Sequence, residues 1–122
     1  MNNEIYLDRK ETKDYQYDES IKTLRTNIQF SGRNLKVIMM TSSVPNEGKS
    51  EISFSLASSL AQLDKKVLLI DADIRKSVFV SRYHLGKAVD GLSQYLSGQK
   101  KAEEVIYKTN VTNLDMIFAG PF

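Results

Sequence analysis

From Tyr17 to Phe30 the apolar residues Tyr17, Ile21, Leu24, Ile28 and Phe30 recur mostly at spacings of three and four, which places them on one face of an amphipathic helix. Gly32 is a natural stop for it. The pattern then changes. Leu35 to Thr41, LKVIMMT, is a short apolar run with β-branched Val37 and Ile38 and turn-forming residues behind it, the signature of a strand covered on both faces. Glu51 to Leu63 returns to helical spacing, with Ile52, Leu56, Ser59, Leu60 and Leu63 on one side and small Ala57 and Ala61 permitting close packing. Lys66 to Ile70 reads as a second buried strand that ends at Asp71. Strand, helix and strand in succession predict a βαβ unit with a right-handed crossover and parallel strands.

The flanks are less strongly patterned. Met1 to Asp14 is polar without a clear period and reads as a loosely held arm, with at most a short extended piece at Ile5 to Leu7. Beyond Asp73, Gly91 to Leu96 and Lys101 to Tyr107 predict two short helices separated by Ser97 and Gly98, and Leu114 to Ala119 predicts a third strand. The expected organisation is a flexible arm over 1–14 and one nucleotide-binding domain over 15–122.

Composition narrows the class. A chain of 122 residues fits one domain, though it is short for a complete nucleotide-hydrolysing fold. With 41% apolar and 26% charged residues it is neither fibrous nor disordered. The 17 basic and 15 acidic side chains are dispersed, so no run of like charge makes a nucleic-acid footprint. Cysteine is absent, which excludes a disulfide framework and a thiolate metal site and fits a reducing compartment. The longest apolar stretches, Val37 to Met40 and Val67 to Ile70, fall far short of the roughly 20 residues that cross a bilayer. The polar N-terminus is unlike a signal peptide, and the expected address is the cytoplasm.

The chemistry concentrates between the first predicted strand and the helix behind it. A Walker A loop places a small residue, four variable residues, then Gly, Lys and Ser or Thr at such a junction. Ser43, Val44, Pro45, Asn46, Glu47, Gly48, Lys49 and Ser50 fill that frame, with Ser43 where the general pattern has Gly. Successive backbone N–H groups curl around a phosphate, and the helix N-terminus adds about half a positive charge. Lys49 brings a cation to the β and γ phosphates, and the Ser50 hydroxyl suits Mg²⁺. The plainer alternative is a strand-to-helix turn in which EGKS only caps a helix. The surrounding strands favour phosphate binding.

In LLIDADIR, strand period puts Asp71 and Asp73 on one face, at the carboxyl edge of the sheet where ligands bind. Two carboxylates beside a metal and a triphosphate can hold the metal's waters or accept a proton from an attacking hydroxyl. Pairing with Arg75 or Lys76 is the simpler reading if the loop is set aside. The lone His84 reads as a surface loop residue, because neither Cys nor a second His accompanies it.

Taken together, SVPNEGKS followed by LLIDADIRKS resembles the bacterial tyrosine kinases of capsule and exopolysaccharide synthesis, whose second motif is called Walker A′. ESIKTLRTNI, Glu19 to Ile28, resembles that family's helix hallmark EAxRxLRTNI, and DGLSQYLSG and TNVTNLDMIFAGPF resemble its stretch between Walker A′ and Walker B. The resemblance covers Asp18 to Phe122. It implies a P-loop NTPase-like three-layer αβα fold with a mainly parallel sheet, incomplete at the C-terminus because the sequence stops before a Walker B strand. That strand normally lies between the P-loop strand and the Walker A′ strand, so the sheet is expected to lack a middle member.

The resemblance also implies ATP as phosphoryl donor, Mg²⁺ as its companion and tyrosine hydroxyls as acceptors. Lys49 would contact phosphates, Ser50 would ligate Mg²⁺, Asp71 would act on the acceptor hydroxyl and Asp73 would support the metal. Ser43 to Glu51 would surround the nucleotide. Glu19, Lys22 and Arg25 occupy the Glu, Arg, Arg places of the family's self-association helix, here 17–31, which implies a homo-oligomer. A membrane-anchored activator, and a place at the inner face of the membrane through it, follow from the same likeness.

Several departures qualify these expectations. Lys22 replaces an Arg and lacks its bidentate fork. Glu51 stands where the family has Thr or Ser facing the α-phosphate, and a carboxylate there repels bound phosphate. The family's C-terminal tyrosine cluster is absent, leaving Tyr15, Tyr17 and Tyr107 as candidate acceptors that read more simply as partly buried surface aromatics. Two alternatives stay open: a truncated fragment acting as an interaction module, and a partitioning-type ATPase, although Val44 replaces the second loop lysine of that class.

Overall fold

The computed structural model describes residues 4–7, 15–32, 36–40, 49–73 and 89–121, the side chains of Lys49 and Ser50 lying outside that set. In chain order the elements are β1 (Glu4–Ile5), α1 (Tyr15–Ser31), α2 (Lys49–Ala61), β2 (Val67–Ile70), α3 (Leu92–Leu96), α4 (Ala102–Val105), β3 (Tyr107–Thr109) and β4 (Leu114–Ile117). The four strands form one sheet in the order β1-β3-β4-β2. β2 and β4 run parallel with Val67 beside Leu114 and Ile70 beside Ile117, β1 is parallel to β3, and β3 meets β4 antiparallel.

The core lies between α2 and one face of this sheet. Phe54, Ala57 and Ala61 of α2 meet Leu114, Met116 and Phe118, with Val67 and Leu69 packed beside them. The two alanines let the helix approach the strands closely, and Phe54 fills the space left. α1 packs on α2 and buries Ile21, while Phe30 at its other end is exposed. The predicted apolar face of α1 is therefore only partly used.

Residues 4–7 are not part of a loose arm. β1 pairs with β3, Leu7 is a core residue, and the Asn110 side chain accepts the Leu7 N–H at 2.7 Å and donates to its carbonyl at 3.2 Å. Their anchor is more than a hundred positions away, and local polarity gives no hint of it.

Within the expected strand 35–41, the described residues 36–40 carry no ladder, and Val37 and Met39 are 84% and 83% exposed. The physical reason is the missing neighbour. Val67 donates its N–H to Asn113 and Asp71 to Ile117, each at 2.9 Å, so the intervening amides of Leu68 and Ile70 point to the other edge of β2. No described strand occupies that edge, and Leu68 and Ile70 are half-exposed rather than buried. The apolar run at 37–39 thus has no described strand beside it to join. The helix expected over 101–107 shortens to α4, because Tyr107 to Thr109 pair with β4 instead. Tyr107 also packs tilted on Phe118, ring centres 5.9 Å apart.

After β4 the chain is clamped to the start of α3. Leu92 and Ser93 donate their N–H groups to Phe118 and Ala119 at 2.7 and 2.9 Å. Buried Gln94 accepts the Gly91 N–H at 2.8 Å and donates to the Pro121 carbonyl at 3.0 Å. A Cβ at Gly91 would collide with the Phe118 carbonyl. Gly91→Ala is expected to cost at least about 2 kcal/mol by overpacking, lowering Tm by roughly 8 °C. Thermal melting checks this; an unchanged Tm would show that the approach is not tight.

Candidate functional site

α2 begins at Lys49, with Ser50 and Glu51 in its first turn. Ser43, Val44, Pro45, Asn46, Glu47 and Gly48 lie outside the described residues, as do Arg75, Lys76 and His84. What the structure gives is the helix directly behind the loop. Thirteen residues of helix leave the first four N–H groups without intrahelical acceptors, at the positive end of the macrodipole. Glu51 is exposed in that turn. Its carboxylate complements an empty helix end and opposes a bound anion.

A short link, 62–66, joins α2 to β2, and the helix packs on that strand. The chain must reverse to do so, which brings the N-terminus of α2 and the C-terminus of β2 to one end of the domain. Asp71 follows β2 there. Its N–H continues the ladder to Ile117, and the residue is 7% exposed. Asp71 and Asp73 do not share a face by strand alternation, because the strand stops at Ile70 and Asp71 Oδ1 accepts the Asp73 N–H at 3.1 Å. An Asp side chain that bonds the backbone two residues on makes a turn. Asp71 is held inward by it and Asp73 is exposed.

This end therefore brings together the first turn of α2, the Lys49 position and a buried carboxylate. Among the described residues no group of three or more His, Cys, Asp or Glu comes together as a metal cluster. The available donors, a Ser hydroxyl at position 50 and the carboxylates of Asp71 and Asp73, are hard oxygen ligands. They suit Mg²⁺ bound partly through water and phosphate.

Glu19, Lys22 and Arg25, expected to share one role on α1, separate. Lys22 and Glu19 pair at 3.8 Å on the exposed side of α1. Arg25 turns into the seam with α2, where Nη1 donates to the Ser59 carbonyl at 3.2 Å and to Ser59 Oγ at 2.9 Å. Arg25 Nε and Ser58 Oγ are buried there without a hydrogen-bond partner. Tyr17 donates its hydroxyl to Ser55 Oγ at 3.1 Å. Tyr17 lies against Ser55 and Arg25 against Ser59, so α1 runs in the same general direction as α2. Sequence spacing missed these seam contacts, and missed the Gln94 clamp, because each joins segments distant in the chain. A cleft of about 370 Å³ lined by Lys66, Lys108 and Asn113 lies at the opposite end of the sheet, where β2 and β4 begin, away from this chemistry.

The family described as AAA domain matches residues 35–120. The tyrosine-protein kinase CpsD of Streptococcus agalactiae is 45% identical over 103 residues, covering 84% of this chain and 45% of the relative. Among solved structures, the kinase domain of the Escherichia coli tyrosine kinase ETK superposes with a TM-score of 0.79 at 31% identity, covering 93% of this chain and 49% of that one. The BceF tyrosine kinase domain gives 0.75 at 38% identity, covering 85% and 41%. The chain spans less than half the length of the curated relatives it matches.

Proposed function

The chain belongs to the AAA domain family, and on that premise we propose that it is the ATP-binding part of a bacterial protein tyrosine kinase serving capsule or exopolysaccharide synthesis. The observation that carries this reading is the convergence of the α2 N-terminus, at Lys49, with buried Asp71 at one end of the sheet. The amides of the loop from Ser43 to Ser50 and the Lys49 ammonium hold the polyphosphate. Asp71 accepts the proton of the attacking tyrosine hydroxyl, while its bond to the Asp73 amide fixes its orientation. Ser50 and Asp73 would hold Mg²⁺, which neutralises phosphate charge when bound. Glu51 lowers affinity by opposing that charge.

Self-association through the exposed Glu19 and Lys22 side of α1 belongs to the same proposal, with Arg25 bracing the helix from behind. Among the described residues no helix is long and apolar enough to cross a membrane. The proposal includes a membrane-anchored activator that brings the chain to the inner face of the membrane. Incubation with γ-labelled Mg²⁺-ATP and a tyrosine-containing copolymer tests the reaction, and phosphotyrosine is the expected product. Release of inorganic phosphate without labelled tyrosine would indicate a partitioning-type ATPase. Absence of both turnover and nucleotide binding would leave an interaction module, for which the exposed Val37, Met39, Leu68 and Ile70 provide apolar surface.

A further inference from the structure

A kinase needs an acceptor hydroxyl, and the tyrosines of this chain are not equivalent in offering one. The Tyr17 hydroxyl is engaged with Ser55 across the helix seam. Tyr107 donates to the Asp90 carbonyl at 2.8 Å, and burial, with the nearby Asp90 charge second, pushes its phenol above the ordinary value. That hydroxyl is both occupied and reluctant to give up its proton. Tyr95 is 46% exposed on the short α3, whereas Tyr6 and Tyr15 are 74% and 76% exposed. Tyr83 lies outside the described residues.

Position separates the two most exposed. Tyr6 precedes Leu7, whose N–H and carbonyl are both held by Asn110. β1 is parallel to β3 and hence antiparallel to β4 and β2, so its C-terminal end points away from the end where Asp71 sits. Tyr15 is the first residue of α1, which meets the middle of α2 where Tyr17 reaches Ser55 and runs in the same general direction as that helix. It therefore lies on the Lys49 side of the Tyr17–Ser55 contact, whereas Tyr6 lies toward the opposite end. The opening residue of a helix makes no intrahelical bond through its own N–H and frays at little cost, which gives its phenol reach.

We propose that Tyr15 is a phosphate acceptor of this protein. Its Oη forms the new bond to the γ-phosphorus of ATP, the bond from that phosphorus to the β–γ bridging oxygen breaks, ADP departs, and the phenolic proton passes to a carboxylate in the role assigned to Asp71. The inference rests on the kinase reading of the α2 and Asp71 end. Its consequence is local: a phosphate of about −1.5 to −2 charge stands three and four residues before Asp18 and Glu19, on a helical face where like charges repel.

The test incubates the chain with γ-labelled Mg²⁺-ATP, maps labelled tyrosines by digestion and mass spectrometry, and runs a tyrosine copolymer in parallel. Tyr15 is expected to carry most of the label. Tyr15→Phe is expected to remove most of the label from the chain while copolymer labelling is unchanged, and Tyr6→Phe to alter neither. A labelled copolymer with unmodified Tyr15 would overturn the acceptor assignment and leave the kinase reading standing. An unlabelled copolymer together with an unlabelled chain would overturn both.

Discussion

Asp71→Asn is expected to lower phosphoryl transfer to tyrosine by about 10²- to 10⁴-fold, the usual contribution of a positioned general base, while leaving the fold and nucleotide affinity nearly intact. Asp71 is 7% exposed and accepts the Asp73 N–H through Oδ1 at 3.1 Å. An Asn carbonyl oxygen can accept the same bond in the same volume, so the turn after β2 survives. What the amide cannot do is take a proton. Initial rates of phosphotyrosine formation, read beside a thermal melt, separate the two roles. A wild-type rate in the variant would remove Asp71 from the chemistry, whereas a collapsed melt with lost activity would show a structural role alone.

Lys49→Ala is expected to weaken Mg²⁺-ATP binding by about 1.5–3 kcal/mol, the range of a hydrogen bond to a charged group, or roughly 10- to 150-fold. Lys49 opens α2, and alanine is the strongest helix former, so the helix should persist without its cation. Calorimetric titration of both proteins reads the difference. Equal affinities would mean that the ammonium does not reach the phosphates.

Much of this was legible in the sequence where a period is long enough to register. The 17 residues of α1 and 13 of α2 carry several helical repeats each, and β2 and β4 are short apolar runs bounded by turns. β1 and β3, of two and three residues, are too short to show alternation. Their existence depends on pairing between Glu4 and Lys108, Ile5 and Thr109, a relation that no local window contains. The run at 37–39 shows the converse. Hydrophobicity suits a strand, but a ladder needs a partner edge, and the apolar letters say nothing about whether one is available.

The site followed the same division. The helix start at Lys49 and the acidic residue after β2 were readable because a helical period and a short apolar run each mark where they end. The placement of Arg25 was not read correctly, although helix geometry contained it. Steps of three residues drift by about 60°, so Glu19 and Arg25 diverge by about 120°, enough to put one in solvent and the other against Ser59. Asp71 and Asp73 diverge for a different reason: the side chain of the first captures the amide of the second and ends the alternation. Gly91 owes its identity to the Phe118 carbonyl, 27 positions away.

In the proposed function, the amides behind Thr41 and the start of α2 grip a nucleotide by its polyphosphate. Titration of the chain with ATP, ADP and AMP in the presence of Mg²⁺ tests it most directly. ATP and ADP should bind with similar affinity and AMP roughly 10- to 150-fold more weakly, since AMP lacks the phosphates that make the charge-assisted bonds. AMP binding as tightly as ATP, or no binding of any of the three, would contradict it.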